Sequence, residues 1–523
     1  MPLFAKSGNH LAGISTDEPQ VTKLVKNLLN DGGNAVDGAI LGMLGLGIAN
    51  PSSSGIGGGG FCIIGKDEGK KRSFNAIDFR EQAPKALSKQ KLSSKDLRKG
   101  ALGVGIPGEL AGIAALHKKY GKTDLKEILK RARDFANQDL KPGKGIKLAL
   151  DYLKPDKKSW HGQFYQETYR LKGLVKLYDQ LIKEGIESFY NGDIAKSIIA
   201  SLKASGGLMT LEDLKAYKVR WREPINFDFA GYEFYAMPPP SSGGIALAQI
   251  LQLYAKIAQS KTELDHKAFI ESMRYAFRDR AQFLGDPDFV KIPKAKMLSE
   301  KRLALAAKEF KKTGTLKLGK PFPFVNDKGT THLVVADRKD GLYASCTSTI
   351  NTYFGSQVVV EKFDLALNNE MDDFSISGQQ NFFGLLGSEK NKIEPYKRPL
   401  SSMTPSIGFN KNGDIIMAGG SGGPRIISAV AQTIIHSAKL GKKLSEAEKA
   451  ARVHHQWFPE KVFAENILDK AIKNKLAKEY EFDVYPKSGA VQAVLLTNTE
   501  TKSSCTADPR KGGSCTIFQI KKK

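Results

Sequence analysis

Cysteine is scarce in this chain: Cys62, Cys346, Cys505 and Cys515 are the four among 523 residues. That density excludes a miniature fold built on disulfides, and no C-x-x-C spacing offers a metal site. Long apolar runs are missing too. No stretch reaches the roughly 18 residues that a membrane-spanning helix needs, and the apolar segment Ala39–Asn50 is glycine-rich and reads as core. Acidic residues are outnumbered, 55 against 80 Lys and Arg, which leaves a formal net charge of +25. The basic residues are scattered. Their densest run, Lys85, Lys89, Lys91, Lys95, Arg98 and Lys99, has no finger, helix-turn-helix or aromatic RNA-binding signature beside it. It reads as a solvated face, with no nucleic-acid partner expected. Internal repeats and low-complexity segments are absent. No basic segment followed by an apolar stretch marks a signal peptide. A cytoplasmic location is therefore expected if Met1 is the native start, and a periplasmic or secreted one if a leader was removed.

What remains is an ordinary globular composition, 41% hydrophobic and 26% charged. Ser15-Thr16-Asp17-Glu18-Pro19 reads as a helix start, with capping side chains, early acids and a proline in the first turn. Val21, Leu24, Val25, Leu28 and Leu29 continue at helical spacing up to Gly32-Gly33. A second, apolar helix is expected over Asn34–Ile48, closed by Asn50-Pro51. The glycine run Gly55–Gly60 leads into a strand, Phe61–Ile64. A phosphate-binding loop would open a helix instead, so close backbone packing is the reading here. From Gly100 to Lys320 the chain looks mainly helical. From Thr330 onward strands are expected at Thr331–Ala336, Leu342–Thr347, Gln357–Val360, Ile415–Ala418 and Ala490–Thr497, with helices at Arg425–Lys439 and Leu444–Ala451. Pattern alone gives α/β or α+β. Cys62 and Cys346 lie in strand-like apolar contexts and are expected to act as small hydrophobes. Cys505 and Cys515 flank a Gly-rich turn and could pair in an oxidising compartment.

The informative stretch is Lys328-Gly329-Thr330-Thr331-His332. Downstream follow Thr349-Ile350-Asn351-Thr352, Asn368-Asn369-Glu370-Met371-Asp372-Asp373, Arg398-Pro399-Leu400-Ser401-Ser402-Met403 and Gly419-Gly420-Ser421-Gly422-Gly423-Pro424-Arg425. At these positions, and over most of its length from Ala12 to Ser514, the chain resembles the γ-glutamyltranspeptidases. These are enzymes made as one precursor that cuts itself to expose a catalytic threonine. The resemblance implies an α+β, four-layer αββα sandwich of the N-terminal-nucleophile hydrolase type. It implies two fragments that associate as a heterodimer, 1–329 and 330–523, with Gly329–Thr330 as the cut and Thr330 as the nucleophile.

The chemistry explains the order of events. A threonine hydroxyl needs a base, and the α-amine of the same residue, with a pKa of about 7.7–8.0, can serve once it is free. Cutting must therefore come first, and a small residue such as Gly329 leaves the hydroxyl room to attack. Thr349 matches a family threonine beside the nucleophile; as plain sequence it would be half of a cross-strand Thr–Thr pair. Gly422 and Gly423 match a diglycine whose N–H groups form an oxyanion hole, and would make a turn in any case.

A γ-glutamyl group carries an α-carboxylate and an α-ammonium. Arg80 and the pair Ser401 and Ser402 match the family's carboxylate donors. Asp373, Glu370 and Asn351 match its ammonium acceptors, although an Asp-Asp pair read alone is a loop or a helix cap. Residues 376–395 match the length of an active-site lid, and Phe383 stands where a tyrosine is common in lidded relatives. Glutathione, other γ-glutamyl compounds and amino acid or dipeptide acceptors are the implied partners, with no metal or cofactor. Two alternatives stay open. One is an acylase of the same fold, although a glutaryl group has no ammonium for Asp373. The other is a non-catalytic basic protein, whose polyanion affinity would collapse with salt.

Overall fold

The computed structural model describes residues 11–69, 71–318, 329–376, 388–485, 488–498 and 500–520 of the uncut chain. Two antiparallel sheets face each other. Their strands, in chain order, are β1 (Leu11–Thr16), β2 (Gly59–Asp67), β3 (Arg72–Phe79), β4 (Arg220–Arg222), β5 (Ile225–Phe229), β6 (Tyr232–Ala236), β7 (Thr331–Asp337), β8 (Leu342–Thr349), β9 (Ser406–Asn410), β10 (Ile415–Ser421), β11 (Ala490–Leu496), β12 (Ser504–Ala507) and β13 (Ser514–Gln519). The seven-stranded sheet runs β13-β1-β7-β8-β2-β3-β4, and the six-stranded sheet runs β12-β11-β10-β9-β6-β5. Both sheets combine strands from either side of residue 330: interleaved in the seven-stranded sheet, and as two adjoining blocks in the six-stranded one.

Strand β7 shows why the layers form. Its residues are all buried and alternate between faces with period two. Leu333 and Val335 pack into a core with the helices Pro19–Asn30 and Ala35–Ala49. Val334 and Ala336 point the other way, into a core shared with the second sheet and the helices Gly243–Ile257, His266–Phe283 and Arg425–Ile434. Burying each such side chain contributes about 1.5–3 kcal/mol. The result is helices, sheet, sheet, helices, as the resemblance implies.

The helix Ala35–Ala49 is buried at every residue and begins with a reciprocal cap. Asn34 Oδ1 accepts from Val36 N and Asp37 N, and Asp37 Oδ2 accepts from Asn34 N. The first helix starts at Pro19 as expected, but not with the expected cap. Ser15 and Thr16 belong to β1, where both are ladder residues between β13 and β7, and Glu18 at the N-cap makes no side-chain cap. The glycine run packs backbone on backbone: a Cβ on Gly58 would lie 2.0 Å from Thr349 O. The segment expected to be mainly helical contains β4, β5 and β6, which complete the edges of both sheets.

The cysteines correct another expectation. Cys62 on β2 and Cys346 on β8 stand directly opposite one another and are disulfide-bonded, so they are not two separate apolar side chains. Cys505 and Cys515 pair as well, between β12 and β13. Among the described residues no helix is long and apolar enough to cross a membrane.

Candidate active site

The antiparallel pairing of β7 with β8 sets Thr331 opposite Ser348, which brings Thr330 and Thr349 side by side. Their hydroxyl oxygens are 3.0 Å apart. The cross-strand pair and the proposed catalytic contact are thus the same geometry. Thr349 Oγ1 also accepts from Asn351 N at 2.8 Å, which fixes that hydroxyl. Thr330 itself is held on both sides. Its N–H donates to Ser53 O at 3.1 Å, and Lys511 Nζ donates to its carbonyl oxygen while lying 3.1 Å from Asp17.

Thr330 has φ of 74°. A β-branched residue in the left-handed region is a steric outlier, of the kind that costs about 1–3 kcal/mol. That torsion includes the carbonyl carbon of Gly329, so cutting Gly329–Thr330 abolishes it. Gly329 has no room for a side chain: a Cβ would meet Asn351 O at 1.7 Å.

Thr330 lines a narrow cavity together with Arg80, Arg280, Thr349, Asn351, Glu370, Asp373, Ser401, Ser402, Met403 and Gly423 among others. Gly422 and Gly423, at φ of 124° and 55°, join β10 to the helix Arg425–Ile434. Their N–H groups lie at the positive end of that helix, where negative charge is favoured. Part of the cavity lining is ionic. Arg80 donates to Glu370 Oε1, to Asp373 Oδ2 at 2.5 Å and to Pro399 O at 3.2 Å, and lies 3.9 Å from Glu81. Residues expected to bind opposite ends of a substrate are therefore bonded to each other.

One cation cannot keep three buried carboxyls ionised. Burial pushes Glu81 up to about 8, with Arg80 pulling against it, and among the described residues its carboxyl oxygens have no side-chain hydrogen-bond partner. Burial also raises Glu370 and Asp373 against the pull of Arg80. For Arg80, burial opposes the charge, but the surrounding carboxyls outweigh it and hold the guanidinium above its usual range. The directions describe one cluster in which Arg80 stays charged and bonded to Glu370 and Asp373, while burial favours the neutral form of the carboxyls around it.

Asn351 Nδ2 donates to Asn369 O at 3.0 Å. Ser401 Oγ accepts from Met403 N, and Ser402 Oγ accepts from Arg280 at 3.4 Å. Asn391 ties the base of the expected lid: its Nδ2 donates to Asp373 O, and its Oδ1 accepts from Leu400 N. Phe383 and most of that lid, 377–387, lie outside the described residues. Among the described residues no cluster could hold a metal ion.

The expected Arg80, Thr349, Asn351, Glu370, Asp373, Ser401, Ser402 and Gly423 line the same cavity as Thr330, and two further neighbours, Arg280 and Lys511, were not read from the sequence. Arg280 sits in the charged helical run Arg278-Asp279-Arg280, where nothing local says which arginine turns inward. Lys511 is 181 positions from Thr330.

A threonine heading a strand in a four-layer αββα sandwich, directly after a glycine, is the arrangement of an N-terminal-nucleophile hydrolase. The family model described as Gamma-glutamyltranspeptidase matches residues 21–518, and the chain belongs to that family. A glutathione hydrolase proenzyme of Escherichia coli is 33% identical over 527 residues, 95% of this chain and 89% of that protein. The γ-glutamyltranspeptidase of Helicobacter pylori superposes with a TM-score of 0.51 at 30% identity, over 58% of this chain and 91% of that chain. A cephalosporin acylase from Bacillus halodurans superposes with a TM-score of 0.81 over 98% of both chains; at 24% identity this likeness concerns the fold alone.

Proposed function

We propose that the chain is an autoprocessed γ-glutamyltransferase and glutathione hydrolase. The observation that carries the reading is Thr330, preceded by Gly329, with its hydroxyl 3.0 Å from Thr349 Oγ1 in a cavity that Arg80, Glu370 and Asp373 also line.

Thr330 Oγ1 attacks the Gly329 carbonyl, the peptide becomes an ester, and water releases residues 1–329 from 330–523. The freed α-amine then takes the hydroxyl proton during turnover. Thr330 Oγ1 attacks the γ-carbonyl of a γ-glutamyl amide, with the oxyanion held at the N–H groups of Gly422 and Gly423. The leaving amine takes the proton and departs, leaving a γ-glutamyl ester on Thr330. Water, or the amine of an amino acid or dipeptide, attacks that ester and regenerates the hydroxyl. Ser401, Ser402 and Arg80 serve the α-carboxylate; Asp373, Glu370 and Asn351 serve the ammonium.

The test is a denaturing gel with N-terminal sequencing, beside an assay on a γ-glutamyl anilide. The smaller fragment should begin Thr-Thr-His, and release of the aniline should appear with it. A folded protein that stays one chain after long incubation refutes the mechanism. Turnover of a glutaryl anilide as fast as the γ-glutamyl compound would favour an acylase instead.

A further inference from the structure

Arg280 is a buried cation in the same cavity, 5% exposed, and no part of the mechanism above uses it. Its Nε donates to Ser242 Oγ at 3.0 Å and its Nη2 to Ser402 Oγ at 3.4 Å. Both partners are neutral hydroxyls. Among the described residues no carboxylate lies within ion-pair distance of it. A guanidinium has five donors in a planar fork, and the Nη1 arm has no hydrogen-bond partner among the described residues. Buried charges are ordinarily paired, and among the described residues this one is hydrogen-bonded to neutral hydroxyls alone.

The charge balance of the cavity gives it a purpose. Arg80 brings one positive charge and is occupied by Glu370 and Asp373. Glu370, Asp373 and Glu81 crowd that guanidinium with acidic groups, and Arg280 adds a second positive charge to the same cavity. Burial pulls its pKa down to about 10, against the attraction of Asp373, so it stays charged at neutral pH.

We propose that Arg280 is a second carboxylate-binding residue. Its guanidinium, anchored on Ser242 and Ser402, meets the α-carboxylate of the γ-glutamyl group and sets the preference for substrates that carry one. The inference rests on the γ-glutamyl reading above and assigns a residue to its carboxylate end.

The experiment compares a γ-glutamyl anilide with a 4-aminobutyryl anilide, which has the same chain and ammonium but no carboxylate. Wild type should prefer the γ-glutamyl compound. In Arg280→Gln that preference, as a ratio of kcat/KM, should fall by roughly 30-fold or more, mainly through KM, because a charge-assisted contact is lost. Cutting at Gly329–Thr330 should proceed normally, which reports that the variant folds. Arg280→Lys keeps the charge without the fork and should lose part of the preference. It decides the matter if the Gln variant fails to mature. An unchanged ratio, with both substrates slowed equally, overturns the proposal and leaves Arg280 a structural residue. A wild type without preference for the carboxylate overturns the γ-glutamyl reading itself, and does so before any variant is made.

Discussion

Arg80 donates through Nη2 to Asp373 Oδ2 at 2.5 Å, so two side chains assigned to opposite ends of the substrate head group neutralise each other. A γ-glutamyl group is itself a zwitterion and can exchange partners with this pair without changing the net charge. A glutaryl group cannot, because it brings a carboxylate and no ammonium. Removing one partner of a buried charge pair costs about 2–5 kcal/mol. Asp373→Ala should therefore lower kcat/KM for a γ-glutamyl anilide by roughly 30- to several-thousand-fold. It should also erase most of the preference over the glutaryl compound. Self-cutting should be far less affected, since the Asp373 carboxylate bonds to Arg80 and not to Thr330. A variant that keeps the wild-type preference would sink the assignment of Asp373.

Thr330→Ala should abolish both cutting and turnover, because one hydroxyl performs both steps. Thr330→Ser should retain some of each. It keeps the hydroxyl, and without the β-branch its side chain fits the left-handed backbone at lower cost. Mass spectrometry of the purified variants checks both. Normal maturation of the Ala variant would mean another nucleophile.

Gly329 gives a sharper test of the cut site. The position is closed by backbone: a Cβ there would fall 1.7 Å from Asn351 O and 3.2 Å from Thr352 Cα. Neither atom is the end of a flexible side chain, so the loop after β8 must move. That loop carries the N–H of Asn351 that fixes Thr349. Gly329→Ala should thus slow cutting at least tenfold, read as the half-life of the precursor on a gel. Any molecules that do mature should turn over normally, because residue 329 has left the nucleophile. Maturation at the wild-type rate would show that the space around Gly329 is not limiting.

Much of this site was legible in the chain because its motifs are local and ordered. Thr330, Asn351, Asp373, Ser401 and Gly423 all line one cavity, as the resemblance implies. What escaped was non-local or locally disguised. The hairpin of β5 and β6 alternates buried Ile225, Phe227 and Phe229 with exposed Asn226 and Asp228, a readable strand pattern. Its turn, however, places Ala230 and Gly231 at positive φ, and Ala is not the Asn or Asp that usually announces such a turn. Cys62 and Cys346 are 284 positions apart, and no spacing rule joins them. Arg280 turns towards Ser242, while Asp279 beside it pairs with Arg278 and Arg302.

The bond between Cys62 and Cys346 has a consequence for the mature protein. The two residues lie on opposite sides of the proposed cut, whereas Cys505 and Cys515 lie on the same side. When the protein matures under oxidising conditions, the fragments should stay covalently joined. A non-reducing denaturing gel should give one band and a reducing gel two. Cys62→Ala should release the fragments without a reductant, while Cys505→Ala should not. Two bands without reductant from an air-oxidised sample, with free thiols at both positions, would refute the cross-link.

Glu109 offers a test of the electrostatics behind the nucleophile strand. It is fully buried, and its carboxylate accepts from Ser348 Oγ, one residue before Thr349. Burial pushes its pKa up to about 8, and the Ser348 hydrogen bond offsets only part of that rise. The sign follows directly. A carboxyl whose folded pKa lies above its unfolded value binds its proton more tightly when folded. Its contribution to stability is fully present below the unfolded pKa of 4.5 and is lost as pH rises through about 8. Below that window Glu109 is a neutral acid, close in shape to glutamine. Above it, folding must bury a charge or hold a proton. Glu109→Gln, made in a Thr330→Ala background so that the chain stays whole, should change Tm little at pH 5. At pH 8.5 it should raise Tm by several degrees relative to the same background with Glu109. Thermal melts across pH 5–8.5 measure the difference. If the two melting curves run parallel over that range, Glu109 is not carrying the proton assigned to it.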